Sequence, residues 1–272
     1  MVMLVPRLAT ITYFSGRKGG TGKSTLAANQ AIALSIALKT NVVLMDFGID
    51  STQTSSRLLG INPDRPGALD FMLGLVKDVN QVVVRSNVVP SVFVIPPGEQ
   101  KSWDLWGQPI NVGQVYNALR NLIITTSRIT NAQVVVIDLP ASIDDVVVVP
   151  ALINTNIINL VMDYANYADI VLAELDNNIV RPLMVQLKLN PIVNIILNKW
   201  LPGLDAVESK ARAFAHNGEV FILPTSPIVQ YLTSTLKPFI LYEPRGSLER
   251  FVKEFNRMIN ELTRQVKALL GF

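Results

Sequence analysis

Two kinds of hydrophobic block follow one another along this chain. Short unbroken apolar runs, clearest at Ala9–Phe14, 41–45, Val92–Ile95, 134–137, 156–162, 192–197 and 220–223, have the signature of strands buried on both faces. Between them lie longer segments with apolar residues at helical spacing. These are an alanine-rich stretch at 26–38, a helix over 111–129 with Val112, Val115, Leu119, Leu122 and Ile123 on one side, and a helix over 167–175. The last is Ser247–Leu270, whose Leu248, Phe251, Phe255, Ile259, Leu262, Val266 and Leu269 share a face. Residues 63–74 read as a short helix after a proline-rich turn, and 82–84 as a further extended run. Alternation of this kind predicts an α/β fold: a doubly wound, mostly parallel sheet with helices on both faces. No linker interrupts the pattern, so residues 1–272 are read as a single domain closed by the helix at 247–270.

Chemistry enters at the first strand's end. It runs into Gly16-Arg17-Lys18-Gly19-Gly20-Thr21-Gly22-Lys23-Ser24-Thr25, directly before a helix. Gly19, Gly20 and Gly22 let successive backbone N–H groups turn onto phosphate oxygens, and the helix N-terminus adds its dipole. Lys23 is placed to reach the β- and γ-phosphates, Ser24 to offer a hydroxyl to Mg²⁺, and Thr25 to help hold the α-phosphate. The runs at 41–45 and 134–137 both end in aspartate. In open parallel sheets ligands gather beyond the strands' carboxyl ends. Asp46 is therefore expected to hold Mg²⁺ through its water shell, or else to cap the next turn. Asp138, after a buried strand and before a proline turn, is the Walker B carboxylate beside Mg²⁺ and the γ-phosphate, with 139–145 sensing that phosphate.

Residues 18–25, Lys-Gly-Gly-Thr-Gly-Lys-Ser-Thr, resemble the deviant P-loop of the ParA/MinD family of ATPases. That resemblance implies ATP and Mg²⁺ as ligands and a homodimer formed on ATP binding. It also implies that Lys18 crosses the interface to the partner's nucleotide. Arg17 before the signature lysine, Thr54-Ser55, and Leu58-Leu59-Gly60 follow the ParA branch. Asn198 matches the residue that pairs with the adenine edge, and Pro224, in Pro224-Thr225-Ser226-Pro227, the loop that closes over the base. One position departs from the family: Gly48 stands where a second aspartate orients the attacking water. Either Asp50 serves as the catalytic carboxylate from a shifted loop, beside Lys18, Lys23 and Asp46, or hydrolysis is slow. The resemblance implies a ParA-like partition ATPase whose Mg·ATP sandwich dimer holds DNA without sequence preference and answers to a ParB-like stimulating partner. The alternatives are a MinD-like membrane-associated positioning ATPase and a non-hydrolysing nucleotide-dependent scaffold.

Composition narrows these readings. Charged residues are only 17% of the chain and the balance is +3, which permits contact with an acidic partner without demanding one. Cysteine is absent, so disulfides, iron–sulfur clusters and thiolate zinc sites are excluded. Relatives that depend on such sites, such as nitrogenase iron protein, cluster-assembly scaffolds and tail-anchor targeting ATPases, are excluded with them. His216, the single histidine, sits in a polar stretch and is read as solvated. No apolar run reaches the roughly 18 residues that span a bilayer, and residues 1–14 do not resemble a signal peptide, so the chain is expected to be cytoplasmic. Arg250, Lys253, Arg257, Arg264 and Lys267 on the closing helix are the candidate DNA contacts, while 266–272 weakly imitates a membrane segment. Trp103 and Trp106, in the polar insertion at 101–109, either cover the sheet edge or dock a partner.

Overall fold

Continuous apolar runs have no solvent face, so they pair side by side and take helices on both sides. A computed structural model describes residues 7–15, 19–48, 53–106, 111–141, 145–163, 181–182, 184–201 and 205–272. Its strands are β1 (Ala9–Phe14), β2 (Asn41–Asp46), β3 (Val84–Arg85), β4 (Val92–Ile95), β5 (Ala132–Asp138), β6 (Ile157–Asp163), β7 (Ile192–Trp200) and β8 (Val220–Pro224). They form one eight-stranded sheet in the order β3-β4-β2-β5-β1-β6-β7-β8. Every pairing is parallel except that of β3 with β4. The winding reverses at β1, where β5 lies on one side and β6 on the other; such a switch point opens a crevice at the strands' carboxyl ends.

Helix α1 (Lys23–Leu38) follows β1 and is buried continuously from Leu26 to Ser35. Its small alanines let it lie close to the sheet, and its apolar circumference fits a fully enclosed helix. Beside it packs the closing helix Ser247–Leu270, through Phe251 and Phe255. Phe239 meets those two rings edge to face, at centroid distances of 5.1 and 4.9 Å. The opposite face of the sheet is covered by the helix Val112–Thr130, through Val115, Leu119, Leu122 and Ile123. Asn111 starts that helix, its side-chain oxygen accepting from the N–H of Gly113 at 2.8 Å and of Gln114 at 3.3 Å.

A file of buried amides crosses the core beneath the closing helix. The Tyr13 hydroxyl and Asn159 Nδ2 both donate to Gln30 Oε1, and Asn194 Nδ2 donates to Asn159 Oδ1 at 3.1 Å. Asn194 and Gln265 then exchange two bonds, at 3.0 and 3.1 Å. This links β1, α1, β6 and β7 to the closing helix in one network.

Some local expectations change. The run at 82–84 is not a strand throughout: Val79–Gln81 is a 3-10 turn tightened by the Asp78 side chain, and only Val84–Arg85 reaches β4. The short helix expected over 63–74 is confined to Ala68–Met72. Among the described residues, the helices that periodicity did not reveal are Thr54–Leu58, Gln100–Trp106, Val148–Ile153, Asp205–Arg212 and Pro227–Ser234, each too short to display a repeat. Trp103 and Trp106 belong to the helix Gln100–Trp106 and pack on the sheet's Val112–Thr130 side. Trp106 is buried and donates its indole N–H to Asp145 Oδ1 at 3.3 Å, so it covers the core and is not a docking residue. His216 is exposed, its Nε2 2.9 Å from Asn190 Oδ1. Among the described residues no helix is long and apolar enough to cross a membrane. The helix expected over 167–175 and residues 107–109 lie outside the described residues.

Candidate nucleotide-binding site

Three neighbouring strands, β2, β5 and β1, deliver Asp46, Asp138 and the glycine loop to one end of the sheet. Register pairs Asp46 with Asp138 and Asp138 with Tyr13, next to the strand end from which the loop departs. Gly22 is the residue before α1 and adopts a left-handed φ of 98°. A Cβ there would lie 2.3 Å from Asn198 Nδ2, so both backbone angle and space call for glycine. The loop and the α1 N-terminus open onto a cavity of about 510 Å³, bounded by Gly19, Gly20, Lys23, Ser24 and Thr25 and, across from them, by Gly48 and 139–141. A helix N-terminus facing such a space favours an anion.

An adjoining cavity of about 300 Å³ shares Gly20, Gly22 and Thr25 with the first and is lined by Asn198, Lys199, Pro224, Ser226 and Gln230. Asn198 and Pro224, far apart in sequence, thus meet beside the cradle. Asn198 Nδ2 donates to Thr21 O at 2.8 Å, leaving its Oδ1 as the acceptor available to a base. Sequence reasoning missed Lys199. Its Nζ donates to Gly20 O at 2.7 Å and pairs with Asp163 Oδ2 at 2.8 Å, so successive side chains of β7 hold successive carbonyls of the loop. The signal available was two polar residues directly after a core strand.

The carboxylates differ in their satisfaction. Asp46 is fully buried; one oxygen accepts from Gly48 N at 2.9 Å, the other from Ser56 N at 3.0 Å and Ser56 Oγ at 2.7 Å. The carboxylate faces the turn after β2, which is the capping role the sequence left open. Asp138 is also buried, yet neither of its oxygens has a hydrogen bond of ordinary geometry. Burial pushes its carboxyl up to about 7, Asp46's charge adds to the rise, and Lys23 with the Ser24 and Ser55 hydroxyls opposes it. Burial also lowers the Lys23 ammonium, against the pull of Asp138. Thr21 Oγ1 is also buried without a hydrogen-bond partner among the described residues.

These orphaned groups test the fit for Mg²⁺. A hard cation next to Asp138 and the Ser24 hydroxyl would satisfy both oxygens and reverse the charge cost. Among the described residues no group of three or more His, Cys, Asp or Glu is placed to hold a metal ion. Lys18 and Asp50 lie outside the described residues.

The model of the CobQ/CobB/MinD/ParA nucleotide binding domain, CbiA, matches residues 13–263. The chain belongs to this family. As a ParA/MinD-type chain it has solved structural counterparts at low identity. One is a Cyanothece McdA–ATP complex (TM-score 0.72, 15% identity, 98% of each chain covered). Another is a plasmid partition protein from Borrelia burgdorferi B31 bound to AMPPNP (0.72, 19%, 94% of this chain and 99% of that). A third is the septum site-determining protein MinD with Mg-ADP from Pyrococcus horikoshii (0.70, 17%, 94% and 97%). At these identities they show the fold alone. No curated protein matches the sequence significantly.

Proposed function

We propose that this ParA/MinD-type chain is a partition ATPase of the ParA branch: Mg·ATP seats in the cradle, two copies close over it face to face, and the dimer holds DNA. The observation that carries the reading is the orphaned Asp138 carboxylate, set opposite Lys23 at the mouth of α1. Lys23 neutralises the outer phosphates, Ser24 and Asp138 hold Mg²⁺, and Asn198 and Pro224 line the space for adenine. Mg²⁺ held by Ser24 and Asp138 would supply positive charge against the charge that builds during phosphoryl transfer. Lys18 is assigned the contact across the dimer, and Asp46 an outer role through water.

The DNA surface is placed on the closing helix. Arg250 and Arg257 turn towards the sheet edge, whereas Lys253 and Lys267 are exposed with no ion-pair partner among the described residues. Doubling this sparse surface in a dimer makes retention depend on nucleotide, and the contact is salt-sensitive. Sedimentation with a slowly hydrolysed ATP analogue, Mg²⁺ and duplex DNA tests this. A nucleotide-dependent dimer that retains DNA with a steep salt slope is expected, and a monomer that ignores DNA would refute it.

A second reading is favoured by Gly48, whose N–H donates to Asp46 and which offers no side chain for a water. In that reading the chain binds ATP, dimerises and hydrolyses it too slowly to matter, acting as a nucleotide-dependent scaffold. Turnover by the wild type separates the two, and loss of turnover in Asp50→Ala supports a relocated carboxylate.

A further inference from the structure

Away from the cradle, the sheet ends in an edge strand, β8, whose Val220 is buried and Ile222 half-buried. β8 pairs with β7 on one side only. Ile195 N donates to Glu219 O at 2.9 Å, and Ile195 stands in register with Val220. Backbone groups of successive strand residues point to opposite edges, so those of Glu219, Phe221 and Leu223 face β7, and those of Val220 and Ile222 face outward. The outward N–H and C=O groups have no partner among the described residues. Val220, Ile222 and Pro224 are also the strand residues that line a cavity of about 250 Å³ on this edge.

The walls of that cavity carry three arginines, Arg212, Arg250 and Arg257, beside two less exposed glutamates, Glu208 and Glu254. The helix Asp205–Arg212 supplies Arg212 from one face of the sheet, and the closing helix supplies Arg250 and Arg257 from the other. Arg250 lies over the Trp200 ring, 5.2 Å from its centroid, and makes no ion pair among the described residues. Arg212 pairs with Glu208 and Arg257 with Glu254, the latter at 3.9 Å, but the arginine side chains are 57% and 75% exposed against 27% and 35% for the glutamates. An approaching chain therefore meets the guanidinium groups first, and half-exposed pairs of this kind exchange partners at little cost.

We infer that this edge is a docking groove for an extended acidic peptide segment of a partner protein, which adds as a short strand to β8. An unpaired strand edge offers alternating donors and acceptors, which match a peptide backbone. Nucleic acid is a poorer match, because the outward carbonyls repel phosphate. A second copy of this chain is disfavoured, because pairing β8 with itself brings Arg212, Arg250 and Arg257 against their own equivalents. In the added strand, side chains alternate between the Arg212 wall and the Arg250 and Arg257 wall, so acidic residues are accepted on both faces. Pro224 lacks an N–H and ends the pairing, which restricts the strand to the reach of Val220 and Ile222. The inference does not depend on nucleotide binding.

The test uses a fluorescein-labelled octapeptide of alternating Glu and Val, titrated against the full chain by fluorescence anisotropy. Saturable binding that weakens with salt is expected, reduced at least tenfold both in Arg212→Glu/Arg250→Glu and by N-methylation of alternate peptide amides. An unchanged thermal midpoint shows that the variant is folded, and Arg212→Lys/Arg250→Lys should retain most of the binding. Equal affinity for the N-methylated peptide would overturn strand addition, leaving charge alone. Absence of peptide binding, with a labelled DNA duplex bound through the same arginines, would overturn it in favour of nucleic acid. Self-association of the Glu variant without peptide binding by the wild type would show that the arginines only guard the edge.

Discussion

Asp46 and Asp138 are register partners at the ends of adjacent strands, and the fold satisfies the first far better than the second. Asp46 receives three hydrogen bonds from Gly48 and Ser56, while Asp138 has none of ordinary geometry. The same apolar-run-then-aspartate pattern thus produces one carboxylate bonded to the following turn and one buried with no hydrogen bond of ordinary geometry.

The second carboxylate makes the nucleotide-free chain sensitive to pH. Asp138 sits near 7 when folded against an ordinary 3.8, so between these values the folded chain keeps a proton that the unfolded chain releases. Stability therefore falls as pH rises through this window and is lowest above it. Asp138→Asn should leave stability nearly unchanged near pH 4 and raise it at pH 8, by on the order of 1–3 kcal/mol. It should also abolish Mg²⁺-dependent nucleotide binding. Denaturant titrations across pH, without nucleotide, measure the first effect; equal slopes for both proteins would contradict it.

Gly22 and Asn198 are predicted to be coupled. Gly22→Ala places a methyl group on a left-handed backbone and against the Asn198 amide. The backbone part alone costs about 1–2 kcal/mol, and the contact adds to it. Asn198→Ala combined with Gly22→Ala should recover the contact part only, so thermal midpoints should show a non-additive pair. Strict additivity would mean the two do not touch.

Lys199 is predicted to act on affinity more than on stability. Lys199→Ala frees Gly20 O and leaves Asp163 without that cation, and nucleotide affinity should fall about tenfold, close to 1.4 kcal/mol. Lys199→Arg should restore part of the loss. Calorimetric titration with Mg·ATP reads this directly, and unchanged affinity in Lys199→Ala would remove Lys199 from the site.

Within the amide file, Asn194→Leu or Gln265→Leu alone strands a buried partner, costing on the order of 2–3 kcal/mol. The double substitution should cost less than the sum, since it removes both ends of the exchanged pair. A double-mutant cycle checks this, with a coupling energy near zero as the contrary result.

These contrasts also show what the sequence displays and what it conceals. β1, β4 and the closing helix appear at the bounds read from the pattern, because a doubly buried strand and a long amphipathic helix leave strong periodic signals. Pro227–Ser234 leaves a weaker one: Ser226 capping the N–H of Val229, with proline at the first turn, looks in sequence like a loop over the base. Asp46 is hidden for another reason. Which way a strand-terminal carboxylate turns depends on Ser56, ten residues later, brought back by a short helix without visible repeat. Asn198 and Pro224 were legible only through family resemblance, and Lys199 only as one of two polar residues after a core strand, since its partners Gly20 and Asp163 are tertiary neighbours.

The most direct test of the central claim is a calorimetric titration of Mg·ATP into the wild type and Lys23→Ala, with and without a chelator. The account predicts one nucleotide per chain, at least a hundredfold loss in Lys23→Ala, and strong weakening when Mg²⁺ is removed. Equal binding by wild type and Lys23→Ala, or no binding by the wild type, would contradict it.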